Sequence, residues 1–155
     1  MSRNYSFRVP AGTSNLGAGF DALGLALEIY GALDSALKQT VKHVTDRRQF
    51  GRPLGSFQAI QHRLAMDATA VEACRWLAMR AAHSGSAADA AMAAGYAQQA
   101  VKTVAYDLHQ FSGAMGLALE YPLHLFTYRA KLLQSELGGF RSQFAAAADA
   151  IWPPR

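Results

Sequence analysis

The sequence predicts a mainly α protein: an antiparallel helical bundle of four or five helices behind a short N-terminal strand and loop. Three observations carry this. Apolar residues recur at helical spacing over most of the chain from about Ala32 onward. Gly and Pro clusters cut that pattern into pieces of helix length. Alanine is abundant along those pieces, and small side chains let helices approach closely in a bundle.

The elements follow in order. "YSFRV" alternates ring and polar residues as a short strand does. "PAGTSNLGAGFD" is rich in Gly, Ser and Asn and reads as a loop. "ALGLALEIYG" is apolar and too short for periodicity to separate strand from helix. From about Ala32, Leu33, Leu37, Val41 and Val44 share one helix face, which ends near Arg47 and Arg48, where cations favour a helix C-terminus. Gly51, Arg52 and Pro53 break the pattern, and Ser56 is placed to cap the next helix. Phe57, Ile60, Leu64, Ala68 and Val71 form its stripe, which runs to about His83. Ser86 and Asp89 make a start resembling a capping box for a third, alanine-rich helix to about His109. "SGAMG" interrupts it. Phe126, Ala130, Leu133 and Leu137 mark a fourth helix, Gly138 and Gly139 end it, and "FRSQFAAAADAIW" reads as a fifth.

Bulk properties narrow the function. The chain has 155 residues, enough for one domain with a real core. Apolar residues are 51% and charged ones 17%, which excludes a disordered chain. The net charge of +4 suits an anionic partner, but it is scattered without a Lys/Arg run, so no nucleic-acid partner is expected. Cys74 is the single cysteine, so neither a disulfide framework nor a multi-cysteine zinc site is expected. The five histidines show no i, i+4 pair, and no metal is expected. No apolar run is long enough to span a bilayer and the N-terminus lacks a signal-peptide core, so a soluble cytoplasmic protein without a membrane partner is the expectation.

Two stretches ask for a chemical reading. "DRRQFGRPLGSFQAIQH" packs arginines, glutamines and two aromatics around a turn. Arg47 offers a planar fork for a phosphate, Gln49 and Gln58 are neutral donors, and Phe50 and Phe57 are flat apolar surfaces that exclude water. On composition alone the plainer reading, a solvated helix end with two core phenylalanines, is favoured. "HQFSGAMGLALEYPLHL" places Gln110 one turn before Gly113 and Gly116, which allow backbone to approach a ligand closely. Glu120 is either a base with a raised pKa or a residue favouring the dipole of the fourth helix. The residues alone favour the second.

Together "RRQFGRPLGSFQAIQHRLA" and "HQFSGAMGLALEYPLHLFTYRAKLL" resemble the C-terminal helical domain of the acyl-CoA dehydrogenases, over about residues 31–140. The resemblance implies an FAD cofactor and α,β-dehydrogenation of an acyl-CoA thioester. It places Arg47 on the pyrophosphate of FAD held across a subunit boundary. Gln49, Phe50, Phe57 and Gln58 would line that cofactor. Gln110, Gly113 and Gly116 match the loop that receives its adenine half, and Glu120 matches a base position. It also implies a homo- or hetero-oligomer, and an incomplete enzyme, since the family's N-terminal helical and middle β domains are not expected here. A non-catalytic assembly module or a chimeric fragment is the alternative. The sequence departs from the family at Ser112, Ala114 and Tyr128.

Residues 7–30, "FRVPAGTSNLGAGFDALGLALEIY", resemble instead the N-terminal motif of homoserine kinases. That resemblance puts Asn15 and Asp21 at an amino-acid substrate. No phosphate-cradling glycine segment follows, so kinase activity in this chain alone is not expected. The expected division is therefore 1–30 and 31–155.

Overall fold

The computed structural model describes residues 18–153. Within them five α-helices follow one another: α1 (Ala18–Asp46), α2 (Gln58–Ser84), α3 (Ala87–Ser112), α4 (Leu123–Leu133) and α5 (Gly139–Ile151). Two two-residue strands, β1 (Arg48–Gln49) and β2 (Arg52–Pro53), pair antiparallel between α1 and α2. The mainly α bundle read from periodicity is the fold observed.

Helix α3 is the centre, with α1, α2, α4 and α5 all packed on it. Its alanines explain why. Ala90, Ala93, Ala94 and Ala97 are buried, and Gly95 lies directly under Phe144 of α5. Small residues on one helix admit several neighbours at short range. Ile29, Leu33, Val71, Val101, Val104, Leu108 and Leu123 fill the space between them. Each such side chain, fully buried, contributes about 1.5–3 kcal/mol.

Several local expectations change. Helix α1 begins at Ala18, so "AGFD" is its first turn and not loop. Ala22, Leu25, Ala26 and Ile29 are buried on the face that continues through Leu33 and Leu37. One apolar stripe thus runs through residues 30 and 31, and the division expected there falls inside a single helix. The expected strand "YSFRV" lies outside the described residues. Val41 and Ala68 are exposed rather than on their core stripes. Ser56 does not cap α2: it sits in a 3-10 turn and donates to the Pro53 carbonyl, and Phe57 takes the cap position without a side-chain bond. Ser86 does cap α3, accepting from the Asp89 amide. Leu137 is not on α4 but in a 3-10 turn beyond it, in the left-handed region at φ 51°.

Candidate functional site

The corner between α1 and α2 is a hairpin. Phe50 and Gly51 link its strands with φ of 53° and 79°. Two consecutive positive φ values are the signature of a tight two-residue hairpin turn. Gly51 adopts this freely, whereas Phe50 is strained, and its ring stands 89% exposed at the tip. Arg47 closes the end of α1, and its carbonyl accepts from the Leu54 amide at 2.8 Å. The hairpin pairing thereby extends to the first residue of the 3-10 turn, Leu54–Ser56, that precedes α2.

Opposite the hairpin, α3 ends at Ser112. Gly113 turns the chain at φ 57° into a 3-10 segment, Gly113–Leu117. The Gly113 amide donates to the His109 carbonyl, so it closes the helix and is not available to a ligand. Gly116 is buried. A Cβ there would lie 2.9 Å from the Ser112 Cβ and 3.3 Å from His109 Nδ1, so packing requires this glycine.

Between these two helix ends lies an open cleft of about 730 Å³. His43, Arg47 and Gln49 line it from α1 and the hairpin, Ile60 and Arg63 from α2, and Gln110, Phe111 and Gly113 from the end of α3. Four of the sequence-predicted residues therefore meet: Arg47, Gln49, Gln110 and Gly113. Among the described residues the Arg47 side chain makes no ion pair. Burial first, and then the Arg47 charge, push the His43 imidazole below its ordinary 6.5. His43 is thus a neutral donor or acceptor near neutral pH, and Arg47 supplies the charge. A guanidinium, two amides and an apolar wall suit a phosphate carried by a larger organic group.

Other predicted residues fall elsewhere. Phe50 packs edge-on to Phe57 at 6.1 Å, outside the cleft lining. Phe57 is covered by Arg52, whose guanidinium carbon lies 3.9 Å from the ring centroid. Gln58 opens α2 and is exposed. Glu120 is exposed on the turn before α4 and does not reach the cleft. Asp21 is exposed in the first turn of α1, and Asn15 lies outside the described residues.

Sequence reading missed Arg63 and its partner Asp107. The Arg63 Nε donates to Asp107 Oδ2 at 3.0 Å and its Nη2 donates to Oδ1, so α2 and α3 are bridged by a two-pronged pair. A signal existed. Arg63 and Asp67 fall at helical spacing on the stripe of Ile60, Leu64 and Val71, where apolar residues are expected.

Fold and cleft together define a mainly α-helical domain with an arginine-lined groove at one end of the bundle. The known proteins it resembles make this specific. The family model described as acyl-CoA dehydrogenase, C-terminal domain, matches residues 17–146. The acyl-CoA dehydrogenase IpdE2 of Mycolicibacterium smegmatis is 34% identical over 148 residues, covering 92% of this chain and 48% of that protein. Its namesake from Mycobacterium tuberculosis is 38% identical over 109 residues, covering 70% and 34%. Among solved structures, a glutaryl-coenzyme A dehydrogenase in complex with glutaryl-CoA aligns at TM-score 0.81 and 31% identity, over 88% of this chain and 36% of that one. The ChsE4-ChsE5 complex of Mycobacterium tuberculosis aligns at 0.79 and 29% identity, over 89% and 39%. The chain belongs to the acyl-CoA dehydrogenase C-terminal domain family. It spans between a third and a half of the length of these curated relatives. The match begins at residue 17 and includes most of the segment read as similar to homoserine kinases.

Proposed function

We propose that this chain contributes a binding cleft for FAD to an acyl-CoA dehydrogenase and is incomplete as a catalyst by itself. The convergence of Arg47, Gln49, Gln110 and Gly113 on one cleft, from the ends of two helices and a hairpin, carries the reading. Arg47 would hold the pyrophosphate, the two glutamines would orient polar edges, and Ile60 and Phe111 would cover apolar surface. FAD supplies hydride-accepting chemistry when bound. The substrate class, an acyl-CoA thioester, comes from family membership alone. Glu120 is proposed as base only for an assembly in which another surface covers its exposed turn. A cytoplasmic setting belongs to the same proposal; among the described residues no helix is long and apolar enough to cross a membrane.

The test is an FAD titration of the purified chain. Arg47→Ala should weaken binding about ten- to a hundredfold, the range of a lost charged hydrogen bond. Arg52→Ala should change it little, because Arg52 lies on Phe57 outside the cleft. Equal effects from the two would remove Arg47 from the pyrophosphate.

An assembly role has its own support. Leu125, Tyr128 and Leu132 expose an apolar stripe along α4, and Leu117 and Leu119 extend exposed apolar surface before it. A homo- or hetero-oligomer using this face is proposed alongside the cofactor role, and solution mass tests it. A homoserine-kinase origin for residues 7–30 rests on the motif alone, and its described part is helix.

A further inference from the structure

Resting on the flavin reading, we infer that Arg63 is a second anion-recognising residue of the cleft and makes it selective for a diphosphate over a monophosphate. The Arg63–Asp107 pair ties α2 to α3 but leaves one of its partners open to solvent. Here the partners differ: the Asp107 side chain is 5% exposed and that of Arg63 is 43% exposed. The guanidinium therefore looks out of the bundle while its counter-ion sits behind it. It also lines the cleft that Arg47 enters.

The geometry leaves donors to spare. A guanidinium carries five N–H groups, and Asp107 takes one from Nε and one from Nη2. Three remain. The ring centroids of Phe111 and Tyr106 lie 5.3 and 5.9 Å from the guanidinium carbon, which restrains it further. A side chain fixed in advance loses little rotamer freedom when a ligand arrives. Arg47 has no such clamp among the described residues. The cleft thus offers one fixed and one adaptable guanidinium, and His43 adds no competing charge. Two cationic forks on one groove match a ligand with two linked phosphates.

The test compares ADP, AMP and FAD titrated into the 155-residue chain and into Arg63→Lys, Arg63→Met and Asp107→Asn, with thermal denaturation of each in parallel. Arg63→Met should lose about tenfold in ADP and FAD affinity and less than about threefold for AMP. Arg63→Lys should recover part of the ADP loss, and the salt dependence of ADP binding should be shallower in Arg63→Met. Asp107→Asn, which releases the clamp, should weaken ADP binding while keeping its salt dependence. If ADP and AMP suffer equally, or if affinity merely tracks thermal stability across the series, Arg63 is a helix tie and the inference fails with the flavin reading intact. Wild-type chain that binds neither ADP nor FAD overturns the flavin reading itself. Should Arg63→Met fail to fold, the Lys variant and its salt dependence decide alone: wild-type ADP selectivity in Arg63→Lys overturns the inference.

Discussion

Replacing Asp67 with asparagine should stabilise this protein at neutral pH. Asp67 lies on α2, one turn after Arg63, and is 2% exposed. Its Oδ2 has no hydrogen-bond partner. Burial raises its carboxyl from the ordinary 3.8 to about 6, against an opposing pull from Arg63. That rise corresponds to about 3 kcal/mol against the ionised form. The sign follows from proton binding. Between about pH 4 and 6 the folded state holds this proton and the unfolded state does not, so stability falls as pH rises through that window. Above it the whole penalty is present. Asparagine removes the charge but must still place a buried amide, at about 1 kcal/mol. The expected net gain near neutral pH is therefore about 2 kcal/mol, and it reverses to a loss of under about 1 kcal/mol near pH 4, where little of the charge penalty remains to offset the amide. Urea denaturation followed by circular dichroism at both pH values measures it. A variant less stable than wild type by the same amount at both would refute the reasoning, because Asp67 would then act through a contact that does not depend on its charge.

Other perturbations test the packing. Gly95→Ala should destabilise by about 1–2 kcal/mol, because overpacking outweighs the gain in helix propensity. Its Cβ would lie 2.8 Å from the Phe144 ring and 3.3 Å from the Gln143 Cβ, and denaturant midpoints will show the sign. Gly24→Ala in α1, with nothing within 4 Å of the new Cβ, should instead stabilise by roughly 0.5–1 kcal/mol. Cys74 is fully buried and its thiol is pushed up to about 12 by burial. It should resist alkylation in the folded protein and react at once in denaturant, as mass spectrometry of labelled samples will show.

The two glycine substitutions show where sequence reading stops. Both residues sit inside helices, and propensity assigns Ala the same advantage at each. Only the position of Phe144, 49 residues further along the chain and on another helix, reverses the sign at Gly95. The helices themselves were legible because their cause is local. Apolar residues at i, i+3 and i+4 face one side whatever lies opposite, and Ser86 caps α3 through an amide three residues away. The same locality explains why the first half of α1 stayed open between strand and helix. A short apolar run shows no period until its stripe can be followed into the next turns, so Ala22 to Ile29 alone do not separate strand from helix.

The candidate site divided in the same way. Arg47 and Gln49 stood out at the corner, and Gln110 and Gly113 at the turn that ends α3, but their cofactor roles came from the family resemblance and not from their positions. That these two places face one cleft is a fact of three dimensions. So is the exposure of Glu120 and Phe50, since neither burial nor a strained φ is written in residue type. Arg63 and Asp107 are 44 residues apart, and no period links them. The sequence by itself determined the helices, their breaks and the chemical kinds present, because these depend on neighbours within a turn or two. The tertiary structure alone decided which charges meet, which carboxylate is left unpaired and which side chains enclose a ligand, because electrostatics and burial act through space and not along the chain.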